Sequence, residues 1–397
     1  MSAVIFLLAL GLALWLASLA WNAWNSREVP SVSAAMPFPL RANPRVSILI
    51  PARNEAAILA TTLPAFLSQD YDNYEVILAD DASTDGTAAF AEQLAAQHFA
   101  AQHRGRLRVV RIESLPPDWV GKTHALHKAF EAAQGDWVLA TDADVVFHPK
   151  ALRAGLWLAE QQQAELVSIY AFLECSSFWE KVMMPIFALL LATVFPLRKI
   201  NDPRSSVALA SGGYILMRRR AWADLGGYEA IRAEMIDDLN TARRVKHAGH
   251  RIFVAMTRNL VRTRMYASFG EIWEGLRKNA FAAHRFSVAR LLGATAVTWL
   301  TNLLPLLGLA YSGFEWAAGG GGAPARLPLL FALSLAQYSL AVLLHLVLVA
   351  FYRIRWSYAL LAPLGAIVYT VISLDSMLRT LLGKGVTWKL RHYGKRS

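Results

Sequence analysis

Residues 2–21 (SAVIFLLALGLALWLASLAW) run for twenty positions without one charged side chain. A helix of that length matches the hydrocarbon thickness of a bilayer. A cleaved leader would carry a positive n-region and a shorter apolar core. Here no side chain before Arg27 is charged, and Ser18-Leu19-Ala20 makes a weak cleavage site. The run therefore reads as an uncleaved anchor over residues 1–24. Three more apolar runs follow, at 289–312, 327–352 and 357–378, inside a C-terminal membrane region over 287–380.

The charges sort around these runs. The chain is 55% hydrophobic and 17% charged, with a net charge of +11. Disorder is excluded by that composition. Arg353 and Arg355 separate the second and third C-terminal runs, and the 381–397 tail holds Lys384, Lys389, Arg391, Lys395 and Arg396 without an acid. A glycine-rich loop over 315–326 separates the first two runs and carries one base, Arg326. The positive-inside rule puts the 353–355 loop and the tail in the cytoplasm. This conflicts with simple counting: with a cytoplasmic middle domain, a third full span would send the tail outside. Either Pro363 and Gly365 break the last run into a re-entrant pair, for which Asp375 is one more sign, or the run crosses and the tail violates the rule. Both readings stay open here. Basic residues gathered beside apolar runs, with no separate basic and aromatic-lined surface, give no nucleic-acid partner. The single cysteine, Cys175, excludes a disulfide framework and a cysteine-based zinc site.

Between the anchors, residues 45–265 alternate short apolar runs with helical patterns. Strands are predicted at 46–51, 75–80, 107–112 and 136–141, and helices near 55–69, 85–99 and 121–134. Continuously apolar strands in a βαβα order predict an α/β, doubly wound parallel sheet. Ligands of such sheets bind beyond the carboxyl ends of the strands. Three polar clusters fall there: Pro51-Ala52-Arg53-Asn54-Glu55, Asp80 to Thr87 (DDASTDGT), and Thr141-Asp142-Ala143-Asp144. Helix capping accounts for a single Asp85 or Ser83 but not for three clusters on one edge. No Gly-x-Gly-x-x-Gly follows the first strand, and Gly121-Lys122-Thr123 lacks the upstream glycine of a Walker loop, so dinucleotide and Walker-type sites are disfavoured.

These motifs together resemble glycosyltransferase family 2, with the GT-A fold. The resemblance is carried by Val46–Glu55, Asp80–Thr87, Gly121-Lys122 with Ala125-Leu126, Asp142-Ala143-Asp144, Ser211-Gly212-Gly213, and Asp237-Asp238-Leu239 with Arg243 and Ala248-Gly249. It covers residues 45–265. The stretch Leu115 to Lys122 (LPPDWVGK) and the C-terminal runs narrow it toward membrane-bound bacterial lipid glycosyltransferases, such as the hopene-associated and carotenoid (diaponeurosporenoate) enzymes.

The resemblance implies an inverting transfer of one sugar from a UDP-sugar to a membrane lipid, in a multi-pass protein of the inner (plasma) membrane with a cytoplasmic catalytic domain. It places Pro51, Arg53, Glu55 and Asp81 at the base and ribose of the donor, Lys122 and Arg264 toward its diphosphate and sugar, and Asp142 also in the nucleotide-sugar site. Asp144 would hold a divalent cation, Mg2+ or Mn2+. Hard ions of this kind prefer carboxylate and phosphate oxygens. Asp238 would be the general base, and Gly212, Gly213 and Asp237 would lie on the acceptor side. Acids at a helix start also serve as plain dipole partners, and one residue can do both. Processive polysaccharide synthases carry Gln-x-x-Arg-Trp after the catalytic Asp. Here the region reads Arg262-Thr263-Arg264-Met265-Tyr266, which favours single-sugar transfer.

Two stretches bear on the acceptor. Residues 266–286 place Phe269, Ile272, Trp273, Leu276, Ala280 and Phe281 at helical spacing, as an interfacial amphipathic helix or a core-facing one. Residues 182–196 are apolar but short for a span, so an interfacial helix and a buried core helix are again the two readings. Transfer to a polyprenyl phosphate, processive polysaccharide synthesis, and a degenerate non-catalytic membrane scaffold are the rival functions. His124 and His127 lack the partners of a zinc site, and Trp119 reads as core.

Overall fold

The computed structural model describes all residues except 28, 100–105, 319–324, 384–385, 389–390 and 394–397. The glycine-rich 319–324 loop and the basic residues Lys384, Lys389, Lys395 and Arg396 therefore lie outside the described residues. The chain divides into two compact units. One comprises Asn25–Glu174 and Phe195–Met265; the other comprises Met1–Trp24, Cys175–Val194 and Tyr266–Ser397.

The first unit is an α/β sandwich. Its strands in chain order are β1 (Ser31–Val32), β2 (Val46–Ala52), β3 (Tyr74–Asp81), β4 (Leu107–Ile112), β5 (Trp137–Ala140), β6 (Val145–Phe147), β7 (Leu166–Tyr170), β8 (Phe172–Leu173), β9 (Ile215–Arg218), β10 (Ile252–Thr257) and β11 (Val261–Thr263). Eight form one sheet in the order β1-β10-β7-β9-β5-β2-β3-β4. All pairs are parallel except those of β9, which runs antiparallel to both β5 and β7. Val46, Ile48, Leu49, Ile50, Val76, Ile77 and Leu78 are fully buried, as expected of strands covered on both faces. The helices Ala56–Leu67, Thr87–Phe99 and Gly121–Ala132 match the predicted segments. A small second sheet, β6-β11-β8, sits where the chain leaves β5.

The second unit is helical. Ser2–Asn25, Val288–Ala317, Leu327–Phe351 and Trp356–Leu381 are each long and apolar enough to cross a membrane, by length and composition. The Val288–Ala317 element is continuous through a π-helical turn at Trp299–Leu303. Pro363 and Gly365 do not break the last run. Pro363 lies in the first turn of the Ala362–Leu381 helix, where a missing N–H costs nothing. Irregularity falls earlier, in a 3-10 stretch at Trp356–Leu361. The Phe178–Val194 and Phe269–Ala283 helices also belong to this unit, not to the core of the α/β unit. Ser268 caps the second of them, accepting from the Glu271 N–H.

Candidate active site

Two neighbouring parallel strands supply the first cluster. In the β2–β3 register, Ala52 is level with Asp80. Arg53 then turns across the strand ends and donates from Nη1 to the Asp81 carbonyl at 2.6 Å. Asn54 takes a left-handed φ of 54°. Its N–H donates to Ser83 Oγ at 2.9 Å, and its Oδ1 accepts from the Thr84 N–H at 2.9 Å. The Glu55 N–H donates to Thr87 Oγ1 (2.9 Å) and the Ala56 N–H to Asp85 Oδ2 (3.0 Å). Asp85 also accepts from the Thr87 N–H at the start of the next helix. It is therefore a cap and a loop tie at once. Desolvation works against its charge, but hydrogen bonds from Thr87 and Ala56 win and hold its pKa below the usual carboxylate value. Asp80 and Asp81 are buried, and Asp80 Oδ1 and Arg53 Nε have no hydrogen-bond partner among the described residues.

The second cluster gathers from four places in the chain. Asp142 follows β5, whose last pair with β2 is Leu49 with Ala140. Lys122, at the start of the Gly121–Ala132 helix, reaches Asp142 Oδ1 at 2.7 Å and Asp237 Oδ2 at 3.1 Å. Asp237 and Asp238 open the Asp237–His247 helix. Asp238 Oδ1 accepts from the Leu239 N–H (2.7 Å) and Oδ2 from the Gly212 N–H (3.2 Å). A Cβ on Gly212 would fit tightly, 3.0 Å from Asp142 Oδ2 and 3.4 Å from Lys122 Nζ. At Gly213 the nearest atom to a Cβ would be Val145 Cγ2, at 3.3 Å.

The electrostatics follow from this packing. Desolvation disfavours the Lys122 charge, but Asp142, Asp237 and Asp238 together hold its pKa well above the ordinary lysine value. It stays an ammonium at any physiological pH, although a cation at a helix start opposes the dipole. Asp238 moves the other way. Removal from water and the neighbouring Asp237 charge push its pKa up to about 6, against the pull of Lys122.

Asp144 precedes β6 and Arg264 follows β11, at the same end of the small sheet. Thr263 pairs with Val145 as the last pair of the antiparallel β11–β6 register. Thr263 Oγ1 also donates to the Asp144 carbonyl at 3.3 Å. Among the described residues no three His, Cys, Asp or Glu side chains converge as a metal cage. A half-buried carboxylate at a strand end suits only an ion whose other ligands are substrate oxygens and water, and Mg2+ and Mn2+ accept such a set.

Sequence patterns gave no warning of three residues. Tyr228 is fully buried against Trp222 and Phe130, with no hydrogen-bond partner for its hydroxyl among the described residues. Burial, then the Asp237 charge, raises its pKa. Tyr170 is similarly raised by burial and Asp238. Lys246 donates its buried ammonium to the carbonyls of Lys199, Ile200 and Val207. That ties the Asp237–His247 helix to the segment running toward Gly212. Burial lowers its pKa to about 8. Trp119 is half-buried rather than core, with its ring against His124 and His127.

Residues 47–226 match the family profile described as Glycosyl transferase family 2. Over those residues the chain is similar to glycosyltransferase family 2, its fold is of the GT-A type, and it is an enzyme of the transferase class. Its particular relatives are of several kinds. EpsE of Bacillus subtilis, a glycosyltransferase by name, is 28% identical over 218 residues, covering 53% of this chain and 70% of EpsE. The beta-monoglucosyldiacylglycerol synthase of Synechocystis is 36% identical over 103 residues, which is 25% of this chain and 20% of that protein. Among solved structures, the mannosyltransferase PcManGT from Pyrobaculum calidifontis, in complex with GDP-Man and Mn2+, superposes over 94% of this chain and 99% of its own, with a TM-score of 0.55 and 21% identity. That likeness bears on the fold.

Proposed function

We propose that this enzyme transfers a single sugar, with inversion, from a nucleoside-diphosphate sugar to a lipid acceptor in the plasma membrane, its catalytic unit facing the cytoplasm. The observation that carries the reading is the Asp238 carboxylate. It is oriented by two backbone N–H groups and its pKa is lifted to about 6, within one cluster with Lys122, Asp142 and Asp237. A general base works best with a pKa near the operating pH. Asp238 takes the proton of the acceptor hydroxyl as that oxygen attacks the anomeric carbon opposite the departing nucleotide. Asp237 and the Gly212-Gly213 backbone shape the acceptor side.

The donor lies along the carboxyl edge of β2, β3 and β5. Pro51, Arg53, Glu55 and Asp81 frame the base and ribose. An Asp carboxylate can accept from a ring N–H, and the unpartnered buried atoms of Asp80 and Arg53 suit a polar ligand there. Lys122, Asp142 and Arg264 line the diphosphate and sugar. A divalent cation, Mg2+ or Mn2+, would be held by Asp144 and would supply Lewis-acid stabilisation to the leaving diphosphate.

The diacylglycerol glycolipid synthase among the relatives and the four apolar helices support a lipid acceptor. Hopanoid, carotenoid and glycerolipid hydroxyls all fit this chemistry. UDP-sugars are the expected donors. The test is to incubate detergent-purified protein with UDP- and GDP-sugars, Mg2+ or Mn2+ and a membrane lipid extract, and to read the lipids by mass spectrometry. A lipid heavier by one hexose supports the reading. A ladder of products would make it a polymer synthase, and an acid-labile phosphodiester product would make it a polyprenyl-phosphate transferase.

A further inference from the structure

By length and composition alone, Trp356–Leu381 is as good a membrane span as the other three helices. Packing within the helical unit gives it a different path. The Ser2–Asn25 helix runs alongside Leu327–Phe351 in the same direction: Arg326 bonds Ser2 at one end, and Gln337 Nε2 donates to the Leu8 carbonyl at 2.8 Å further along. Val288–Ala317 runs opposite to both. Trp316 packs on Phe331 at 4.8 Å, and Trp15 Nε1 donates to the Thr301 carbonyl at 2.9 Å. Asn25, Val288 and Phe351 therefore share one face, and Ser2, Ala317 and Leu327 the other.

The last segment enters and leaves by the first of these faces. Tyr338 OH donates to the Leu360 carbonyl at 3.1 Å. Tyr338 lies about 20 Å back from Phe351, at roughly 1.5 Å per residue. The chain thus descends to Leu360 through the 353–355 turn and the Trp356–Leu361 3-10 stretch. The Ala362–Leu381 helix then climbs back. Trp299 Nε1 donates to Thr370 Oγ1 at 3.0 Å, and Leu291 packs with Met377. Trp299 is about 16 Å from Val288, and Thr370 is about 16 Å from Leu381, so both helices end at one level. The segment therefore enters and leaves at one level, so it reaches into the bilayer core without crossing it.

Non-helical backbone at membrane depth needs protein cover. The Phe178–Val194 helix provides it. Phe178 packs on Tyr358 at 5.8 Å, and a Cβ on Gly365 would meet Ile186 Cγ1 at 2.8 Å and the Val182 carbonyl at 3.0 Å. Near the returning end, Asp375 accepts from Trp273 Nε1 (2.9 Å), Arg277 Nη1 (3.3 Å) and Arg379 Nε (3.1 Å). The acid therefore stands with its cations near the face, away from mid-bilayer lipid.

We infer that Trp356–Leu381 is a re-entrant hairpin covered by the Phe178–Val194 helix, leaving three true spans among the described residues and placing Arg353, Arg355, Arg379 and Leu382 on one face, the cytoplasmic one. The basic residues then obey the positive-inside rule, with Arg326 the base at the opposite face. This rests on the membrane reading above but not on the sugar chemistry.

The experiment places single cysteines at Ser2, Arg355 and Leu382, all exposed, in a Cys175→Ser background in cells. Alkaline carbonate extraction comes first, since loss of the protein from membranes would defeat the membrane reading itself. With the protein retained, an impermeant maleimide should label Ser2→Cys in intact spheroplasts. Arg355→Cys and Leu382→Cys should react only after permeabilisation. Labelling of Arg355→Cys and Leu382→Cys from opposite sides would make the segment a full span and overturn the inference.

Discussion

Asp238 and Lys122 sit in one cluster, yet their surroundings push their charges apart in pH. Lys122 is held protonated by three acids, while Asp238 is driven toward neutrality. If Asp238 is the base, turnover should fall as pH drops through about 6, read from a pH profile of kcat/KM. The stability sign is opposite. A carboxyl whose folded pKa exceeds its unfolded value of 3.8 stabilises the fold at low pH, and that stabilisation is lost as pH rises through about 6. Asp238→Asn should therefore lose activity by at least about 10²-fold while its Tm at pH 8 stays equal to or above that of the parent. A merely capping Asp238 would give the reverse pattern. Gly212→Ala should also lose activity, because its Cβ would press on Asp142 and Lys122. Donor KM should rise with little change in Tm. The Ser-Gly-Gly and Asp-Asp motifs flagged these positions in the sequence. The reason for glycine, and the buried phenols of Tyr170 and Tyr228, were not legible, since they depend on segments brought together from far apart in the chain.

At the scale of elements, the four strands and three helices read from residues 46–141 stand within one or two residues of their predicted limits, because each is a mainly apolar run or a helical period bounded by polar clusters. The antiparallel β9, inserted between β5 and β7, was not legible. A four-residue apolar run carries no record of its neighbours or direction. The clasp between the β2 and β3 loops shows how local sequence and topology combine: Ser83, Asp85 and Thr87 satisfy the backbone that follows Arg53. Thr87→Val should free the Glu55 N–H and raise donor KM several-fold with kcat nearly unchanged, checked by steady-state kinetics. Lys246 plays a comparable part between the Asp237–His247 helix and the 199–207 segment. Lys246→Met leaves three carbonyls without their ammonium. It should cost about 2–3 kcal/mol of stability, visible as a lowered denaturation midpoint.

At the scale of the molecule, composition announced both apolar helices long enough to cross a membrane and an α/β part, since apolar runs and charge placement are additive along a sequence. The path of the last apolar segment was not readable that way. Depth is set by which helices pack side by side, and the hydrogen bond from Tyr338 to Leu360 is a tertiary fact. The acceptor is a similar case: the apolar helices and Asp238 support the proposed lipid hydroxyl only as a class, while the individual lipid depends on shape. The account as a whole stands on Asp238 acting on an acceptor beside an intact donor site. The most direct measurement compares the parent and Asp238→Asn enzymes in one preparation, with donor binding by calorimetry and sugar transfer to extracted lipid by mass spectrometry. The account predicts equal donor affinity in both, one added hexose with the parent, and at least about a hundredfold slower transfer with the variant. Transfer by Asp238→Asn at the parental rate would contradict it.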